Sequence, residues 1–155
     1  MKPPTVVLGG LSLLAAGLTG AAPTPFTDFT NNILWYPAED AVNWHTLYAR
    51  SLQLPDESLI ITWENYPLEP PLVNHPILRS VDGGATWTDY SAVNDEVNGW
   101  GMRFQPFLYT LPQPIGSFAA GTILAAGVSS PFSLAGGVYI ELYASTDNAQ
   151  TFRFV

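Results

Sequence analysis

Aromatic, cationic, carboxylate and amide side chains come together in two stretches of the sequence, residues 48–66 and 100–105. Proteins hold sugar rings with aromatic faces and convergent hydrogen bonds, so these residue types can form a carbohydrate-binding site. The rings can equally pack between neighbouring sheets, and a buried arginine can pair with a structural carboxylate. The candidate substrate-binding residues are Tyr48, Arg50, Glu64, Tyr66, Trp100, Arg103 and Gln105.

The composition of the 155-residue chain excludes several classes of protein. Because it has no Cys, it can form neither a disulfide framework nor a thiolate zinc site. Five basic residues against 13 acidic ones give a formal net charge of −8, which argues against nucleic-acid binding. No cluster of ligand residues suggests a metal, and we expect no cofactor. The 47% of hydrophobic residues indicates a packed core.

Residues 1–21 are predicted to be a secretory signal peptide. Lys2 precedes a mainly apolar run over 6–18, and small residues follow at Thr19–Ala22. The alternative, an N-terminal membrane anchor, is disfavoured because the run is short and lacks basic residues on its far side. Cleavage after Ala21 would leave four Arg against 13 acidic residues, a net charge of −9. We therefore expect a secreted, extracellular protein with no membrane association after cleavage.

A repeat organises the remaining sequence. The segment Arg79–Trp87 is matched 65 residues later by Ala144–Phe152, and upstream 47–55 aligns with 104–112. Short apolar runs rich in β-branched or aromatic residues, bounded by Gly, Pro, Asn and Asp, predict strands rather than helices. The predicted strands lie near 47–54, 58–64, 75–80, 87–91, 103–111, 121–127, 138–145 and 151–155. Four antiparallel strands per unit are typical of a β-propeller blade.

The repeated element contains a Ser-x-Asp-x-Gly-x-Thr-Trp turn with a structural role. The Asp can accept backbone N–H groups of its own turn, and a Gly supplies the positive φ angle. Because Ala149 replaces the second Gly and Phe152 replaces the Trp in the second copy, we expect that turn to be looser. The structural residues are Ser80, Asp82, Gly84, Thr86 and Trp87 in the first copy, and Ser145, Asp147, Thr151 and Phe152 in the second.

This turn resembles the Asp-box, or bacterial neuraminidase repeat, of the sialidase-like propeller glycosidases. Two further stretches narrow the resemblance, because Leu47–Asp56 with Thr62–Tyr66 and Asn98–Tyr109 look like the first and second blades of glycoside hydrolase family 93. The resemblance implies an all-β fold comprising the first two four-stranded blades of a six-bladed propeller. It further implies a retaining exo-arabinanase that acts on arabinan, whose catalytic carboxylates lie on later blades.

Alternating strand directions place the Asp-box turns at one end of each sheet and 65–74 and 91–101 at the other. Retaining glycoside hydrolysis needs two carboxyl groups about 5–5.5 Å apart. Glu64 and Glu69 share one of these segments, and Asp95 and Glu96 lie in the other. Nothing in the sequence determines their separation, and we expect Asp95 and Glu96 to be a solvated pair. Catalysis by this chain alone is therefore not expected.

Two hypotheses remain. The chain is either the N-terminal part of a secreted arabinanase-like hydrolase or a non-catalytic carbohydrate-binding protein that kept Asp-box blades. The predicted organisation is a signal peptide over 1–21, a lead-in segment over 22–43, blade 1 over 44–101 and an incomplete blade 2 over 102–155. The expected partner is a carbohydrate of the arabinan type. Because two blades leave unpacked sheet faces, we also expect missing blades or self-association to be needed for stability.

Overall fold

The computed structural model describes residues 32–36, 46–66, 73–133 and 135–155, in which all regular secondary structure is β. The predicted signal peptide and most of the lead-in segment lie outside these residues. The strands are β1 Thr46–Gln53, β2 Leu59–Asn65, β3 His75–Ser80, β4 Thr88–Val93, β5 Met102–Thr110, β6 Ile123–Ser129, β7 Tyr139–Ser145 and β8 Arg153–Phe154. Their ends agree with the predicted strands to within two residues. Among the described residues, no helix has the length and hydropathy needed to cross a membrane.

The strands form two antiparallel four-stranded sheets, ordered β1-β2-β3-β4 and β5-β6-β7-β8. Each is a meander in which strands that follow one another in sequence are hydrogen-bonded neighbours. The fold predicted from the sequence, an all-β pair of propeller blades, is confirmed.

The core lies between the two sheets. Ile60 and Ile77 of the first sheet share one buried cluster with Met102, Ile123 and Tyr143 of the second. Along β6, odd-numbered residues from Ile123 to Ser129 are buried while even-numbered residues are partly exposed, as expected of a strand with one face against the core. Full burial of a large apolar side chain, such as Ile60, Ile77 or Met102, stabilises a fold by about 1.5–3 kcal/mol.

The Asp-box turns close the β3–β4 and β7–β8 connections in nearly the same way. The Asp82 carboxylate accepts the Thr86 backbone N–H at 2.9 Å and the Thr86 hydroxyl at 2.6 Å. Asp147 accepts the corresponding groups of Thr151 at 2.9 and 2.7 Å. The expectation of a looser second turn is wrong for these bonds, because Ala149 adopts the required left-handed conformation with a φ of 65°. The substitution therefore adds backbone strain without loosening these hydrogen bonds. The first turn has one further bond, from Trp87 Nε1 to the Gly84 carbonyl at 3.0 Å, for which Phe152 has no donor.

A loop organised by Asp95 joins the two sheets. Its carboxylate accepts the backbone N–H groups of Val97, Asn98, Trp100 and Gly101 at 2.8–3.0 Å and the Ser129 hydroxyl at 2.8 Å. Burial raises the pKa of Asp95, but these hydrogen bonds outweigh it and hold the pKa well below its usual range. The solvated pair expected here is thus wrong for Asp95, whose carboxylate instead connects this loop to β6.

Candidate functional site

The first strands of the two sheets, β1 and β5, contact each other and are called the inner strands below. A pocket of about 400 Å³ opens between them. It lies at the end of the sheets opposite the Asp-box turns. Glu64 is near the end of β2, where the antiparallel β3 begins, and the first Asp-box turn follows the other end of β3. Its volume is within the usual range for small-molecule sites. The lining residues are Leu47, Tyr48, Glu64, Tyr66, Phe104 and Gln105.

Glu64 supplies a buried carboxylate to this pocket. The residue is 1% exposed, and its Oε2 accepts the Tyr66 hydroxyl at 2.7 Å. Its Oε1 accepts the backbone N–H of Gln105 at 2.5 Å, a bond that joins β2 of the first sheet to β5 of the second. Both carboxylate oxygens are therefore engaged by protein donors, one on the same strand side of the pocket and one from the second sheet.

The Tyr66 hydroxyl is held as a donor by its surroundings. Burial raises the pKa of Tyr66, and the hydrogen bond to Glu64 and the charge of that carboxylate raise it further. The phenol therefore stays protonated throughout the physiological range. Its ring lies 6.1 Å from that of Phe104, centroid to centroid. Together with the half-exposed ring of Tyr48, the pocket offers aromatic surface beside polar groups, which is a combination suited to sugars.

Both inner strands carry a β-bulge at the pocket. The β1–β2 register shifts between Leu47 and Arg50, and the β5–β6 register shifts between Phe104 and Phe107. At each bulge a non-glycine residue has a left-handed backbone: φ is 51° at Tyr48 and 52° at Gln105. Bulges are common beside active sites because they redirect a side chain.

The structure places four of the seven sequence-predicted site residues in the pocket lining, namely Tyr48, Glu64, Tyr66 and Gln105. The other three, Arg50, Trp100 and Arg103, are not among the lining residues. Arg50 is exposed and donates to the Ala49 carbonyl at 3.0 Å. Trp100 packs against Tyr139 with ring centroids 5.4 Å apart.

Arg103 is 8% exposed and its guanidinium lies over the Phe132 ring, 5.3 Å from the centroid. Its Nε has no hydrogen-bond acceptor within the described segments. Burial lowers the pKa of this guanidinium, and its electrostatic interaction with Tyr66 offsets part of that shift.

Sequence reasoning did not single out Leu47 and Phe104, the apolar walls of the pocket. The signal was present, since the repeat aligns these two residues with each other, immediately before Tyr48 and Gln105. It also missed Glu141, a buried carboxylate that accepts the Asn98 amide and the Tyr143 hydroxyl, both at 2.6 Å. The bond from Asn98 ties β7 to the loop between the sheets.

Within the described residues, Glu64 is the one carboxylate that lines the pocket. Glu69 lies outside the described residues, and both oxygens of Asp95 are occupied by its own loop and Ser129. Those residues also contain no group of His, Asp and Glu side chains arranged to hold a metal ion. This arrangement can bind and orient a neutral sugar, while retaining hydrolysis requires a second carboxylate.

Solved structures similar to this chain are enzymes that process arabinose-containing sugars. The Penicillium chrysogenum α-L-arabinanase complexed with arabinobiose is 50% identical and has a TM-score of 0.77, with 86% of this chain and 36% of that chain covered. The GH93 α-L-arabinofuranosidase of Fusarium graminearum, also with arabinobiose, is 47% identical with a TM-score of 0.73. That match covers 77% of this chain and 33% of the Fusarium chain.

Neither a protein-family model nor a curated protein sequence matches the chain. The chain spans about a third of the length of the solved structures that it matches. Over that third, both the fold and about half of the residues agree. The resemblance to the propeller enzymes of glycoside hydrolase family 93, predicted from the two blade-like stretches and the Asp-boxes, is therefore confirmed over most of this chain.

Proposed function

We propose that this chain forms two blades of a secreted, arabinanase-like glycoside hydrolase and contributes a carbohydrate-binding wall to its site. The observation that carries the proposal is the pocket between β1 and β5, in which Tyr48, Glu64, Tyr66 and Gln105 surround about 400 Å³. It occurs in a chain that is 47–50% identical to two structures bound to arabinobiose. The ligand class is a neutral arabinose-containing oligosaccharide from arabinan, and the protein would act outside the cell after removal of residues 1–21.

In this proposal the chain binds the sugar, and the complete pair of catalytic carboxylates requires residues of other blades. A single pocket carboxylate cannot both attack the anomeric carbon as nucleophile and protonate the leaving-group oxygen as general acid. We therefore expect arabinobiose to bind to the 155-residue chain and linear arabinan not to be hydrolysed by it.

Calorimetric titration with arabinobiose tests the proposal. Tyr48→Ala should weaken binding about ten-fold, equivalent to ~1.4 kcal/mol, because it removes an aromatic face from the pocket. The matched control is Tyr109→Ala, since Tyr109 is similarly exposed but lies outside the pocket lining. Absence of arabinobiose binding by the unmodified chain, or equal losses in both variants, would contradict the proposed site.

The second candidate is a non-catalytic carbohydrate-binding protein built on Asp-box blades. The presence of one carboxylate at the pocket within the described residues favours it. Gel filtration with sugar titration separates the candidates. A discrete oligomer that binds arabinobiose supports the binding protein, whereas open-ended association that grows with concentration, with arabinobiose still bound, supports a dependence on further blades.

A further inference from the structure

Two consecutive residues of each inner strand line the same pocket: Leu47 and Tyr48 on β1, and Phe104 and Gln105 on β5. In a regular strand, successive side chains point to opposite faces of the sheet, so neighbours cannot share a pocket. The left-handed backbone at Tyr48 and Gln105 interrupts that alternation in each strand. The pocket therefore depends on these two backbone conformations as well as on the side chains.

Such conformations are costly for residues other than glycine and persist only where the surroundings impose them. At Gln105 the structure shows what imposes it. The backbone N–H donates at 2.5 Å to Oε1 of Glu64, which belongs to the neighbouring sheet. The following residue, Pro106, favours an extended backbone at Gln105, so the positive φ is not explained by the local sequence.

The carboxylate that receives this N–H is itself held in place. Glu64 is 1% exposed on a central strand, and its second oxygen accepts the Tyr66 hydroxyl at 2.7 Å. A buried carboxylate bonded on both oxygens has little freedom to move, so it fixes the position of the Gln105 amide nitrogen. The Gln105 side chain is exposed at the pocket, where its amide can both donate to and accept from sugar hydroxyls.

We infer that Gln105 is a specificity-determining residue of the carbohydrate pocket and that Glu64 is a positioning residue acting through the Gln105 backbone. The inference rests on the proposed function, which supplies the ligand class. Glu64 then contributes to affinity chiefly by holding the bulge, and the Gln105 amide makes the contact with the hydroxyls of a neutral sugar.

The test compares Glu64→Gln with Glu64→Leu by titration with arabinobiose. A glutamine can still accept the Gln105 N–H through its carbonyl oxygen and donate its NH₂ to the Tyr66 oxygen, so its affinity should stay within about two-fold of the unmodified chain. Leucine offers no acceptor and should weaken binding about ten-fold. In a Gln105→Gly background, where the left-handed backbone is unstrained, Glu64→Leu should cost much less.

Amide hydrogen exchange at Gln105 provides a readout that depends neither on sugar nor on the folding of the leucine variant. The Gln105 N–H should be protected in the unmodified chain and in Glu64→Gln. An unprotected Gln105 amide, or equal ten-fold losses for both Glu64 variants, would overturn the positioning role while leaving the proposed function intact. If the unmodified chain binds no arabinobiose although the amide is protected, the proposed function fails and the specificity role of Gln105 fails with it.

Discussion

His75 shows how the contact between the two sheets determines the ionisation of one residue. The residue is 1% exposed on β3, and its Nε2 has no partner within the described segments. Its ring packs so closely on β6 that a Cβ added at Gly127 would lie 2.4 Å from Cε1. Burial lowers the pKa of His75 from 6.5 to about 4, so the imidazole is neutral in the folded protein near pH 7. Only a glycine at 127 leaves room for this ring.

This burial predicts a loss of stability in mild acid. Between pH 6.5 and about 4 the unfolded chain binds a proton at His75 that the folded chain does not, so the free energy of unfolding falls as pH falls through this window. The loss should approach about 3 kcal/mol. Urea unfolding at about pH 7 and pH 4.5 measures it, and His75→Gln should remove most of the difference. The same slope in both proteins would contradict the assignment. Hydrogen bonds from Thr86 lower the pKa of Asp82 to about 2, so protonation of Asp82 reduces stability only at lower pH.

Among the structural elements, the two Asp-box turns share the hydrogen bonds of their Ser and Asp side chains but differ in backbone φ angle. The Ser80 hydroxyl accepts the Gly84 N–H at 2.8 Å, and the Ser145 hydroxyl accepts the Ala149 N–H at 2.9 Å. Gly84 has a φ of 99° and Ala149 a φ of 65°. Because the Ser and Asp side chains make nearly equal bonds in both turns, while alanine takes the position of glycine in the second, the second turn stores strain that the first avoids.

Exchanging these residues should shift stability in opposite directions. Ala149→Gly should raise the free energy of unfolding by at most about 0.5 kcal/mol, because the relief of left-handed strain is partly offset by loss of the Ala149 methyl group, which is buried in the core. Gly84→Ala should lower it by about 1–2 kcal/mol. An added methyl there meets only Leu59 and Trp87 at 3.7 Å or more, so strain and not collision is tested. Denaturant titration of both variants provides the comparison, and a stability loss in Ala149→Gly would refute the strain argument.

At the scale of the whole molecule, the outward faces of the two sheets differ. On the first sheet Trp63 is 3% exposed, and Trp35 of the lead-in segment packs beside it with ring centroids 5.2 Å apart. On the second sheet large apolar side chains are open to solvent, with Ile140 84% exposed and Phe107 54% exposed. Contiguous exposed apolar surface of this kind marks a site of association.

We expect the chain in isolation to self-associate through the second sheet. Ile140→Lys should weaken that association at least about ten-fold by placing a charge in the apolar face. Val81→Lys is the control, because Val81 is 64% exposed at an Asp-box turn, away from this face. Sedimentation velocity over a range of concentrations provides the measurement. Equal behaviour of the two variants would place the association elsewhere.

The fold could be predicted from the amino-acid sequence because the signals for its strands and turns are local. Short β-branched and aromatic runs between turn residues indicate strands without knowledge of their partners, and the Ser-Asp-Thr spacing encodes a hydrogen-bonded turn within eight residues. The repeat then indicated two equivalent units, since equal patterns fold into equal sheets. Tyr48, Glu64, Tyr66 and Gln105 were recognisable as candidates from residue type and from the end of the sheet on which they fall.

Which candidates share a pocket depends on how the two sheets pack together. The hydrogen bond between Glu64 and Gln105 links residues 41 positions apart on different sheets, and the left-handed bulges follow from that packing and not from local propensity. The buried state of His75 and the separation of Trp100 and Arg50 from the pocket have the same origin. Strand formation depends on neighbours in sequence, whereas burial and side-chain direction at a bulge depend on how two sheets meet, and no local pattern encodes that contact.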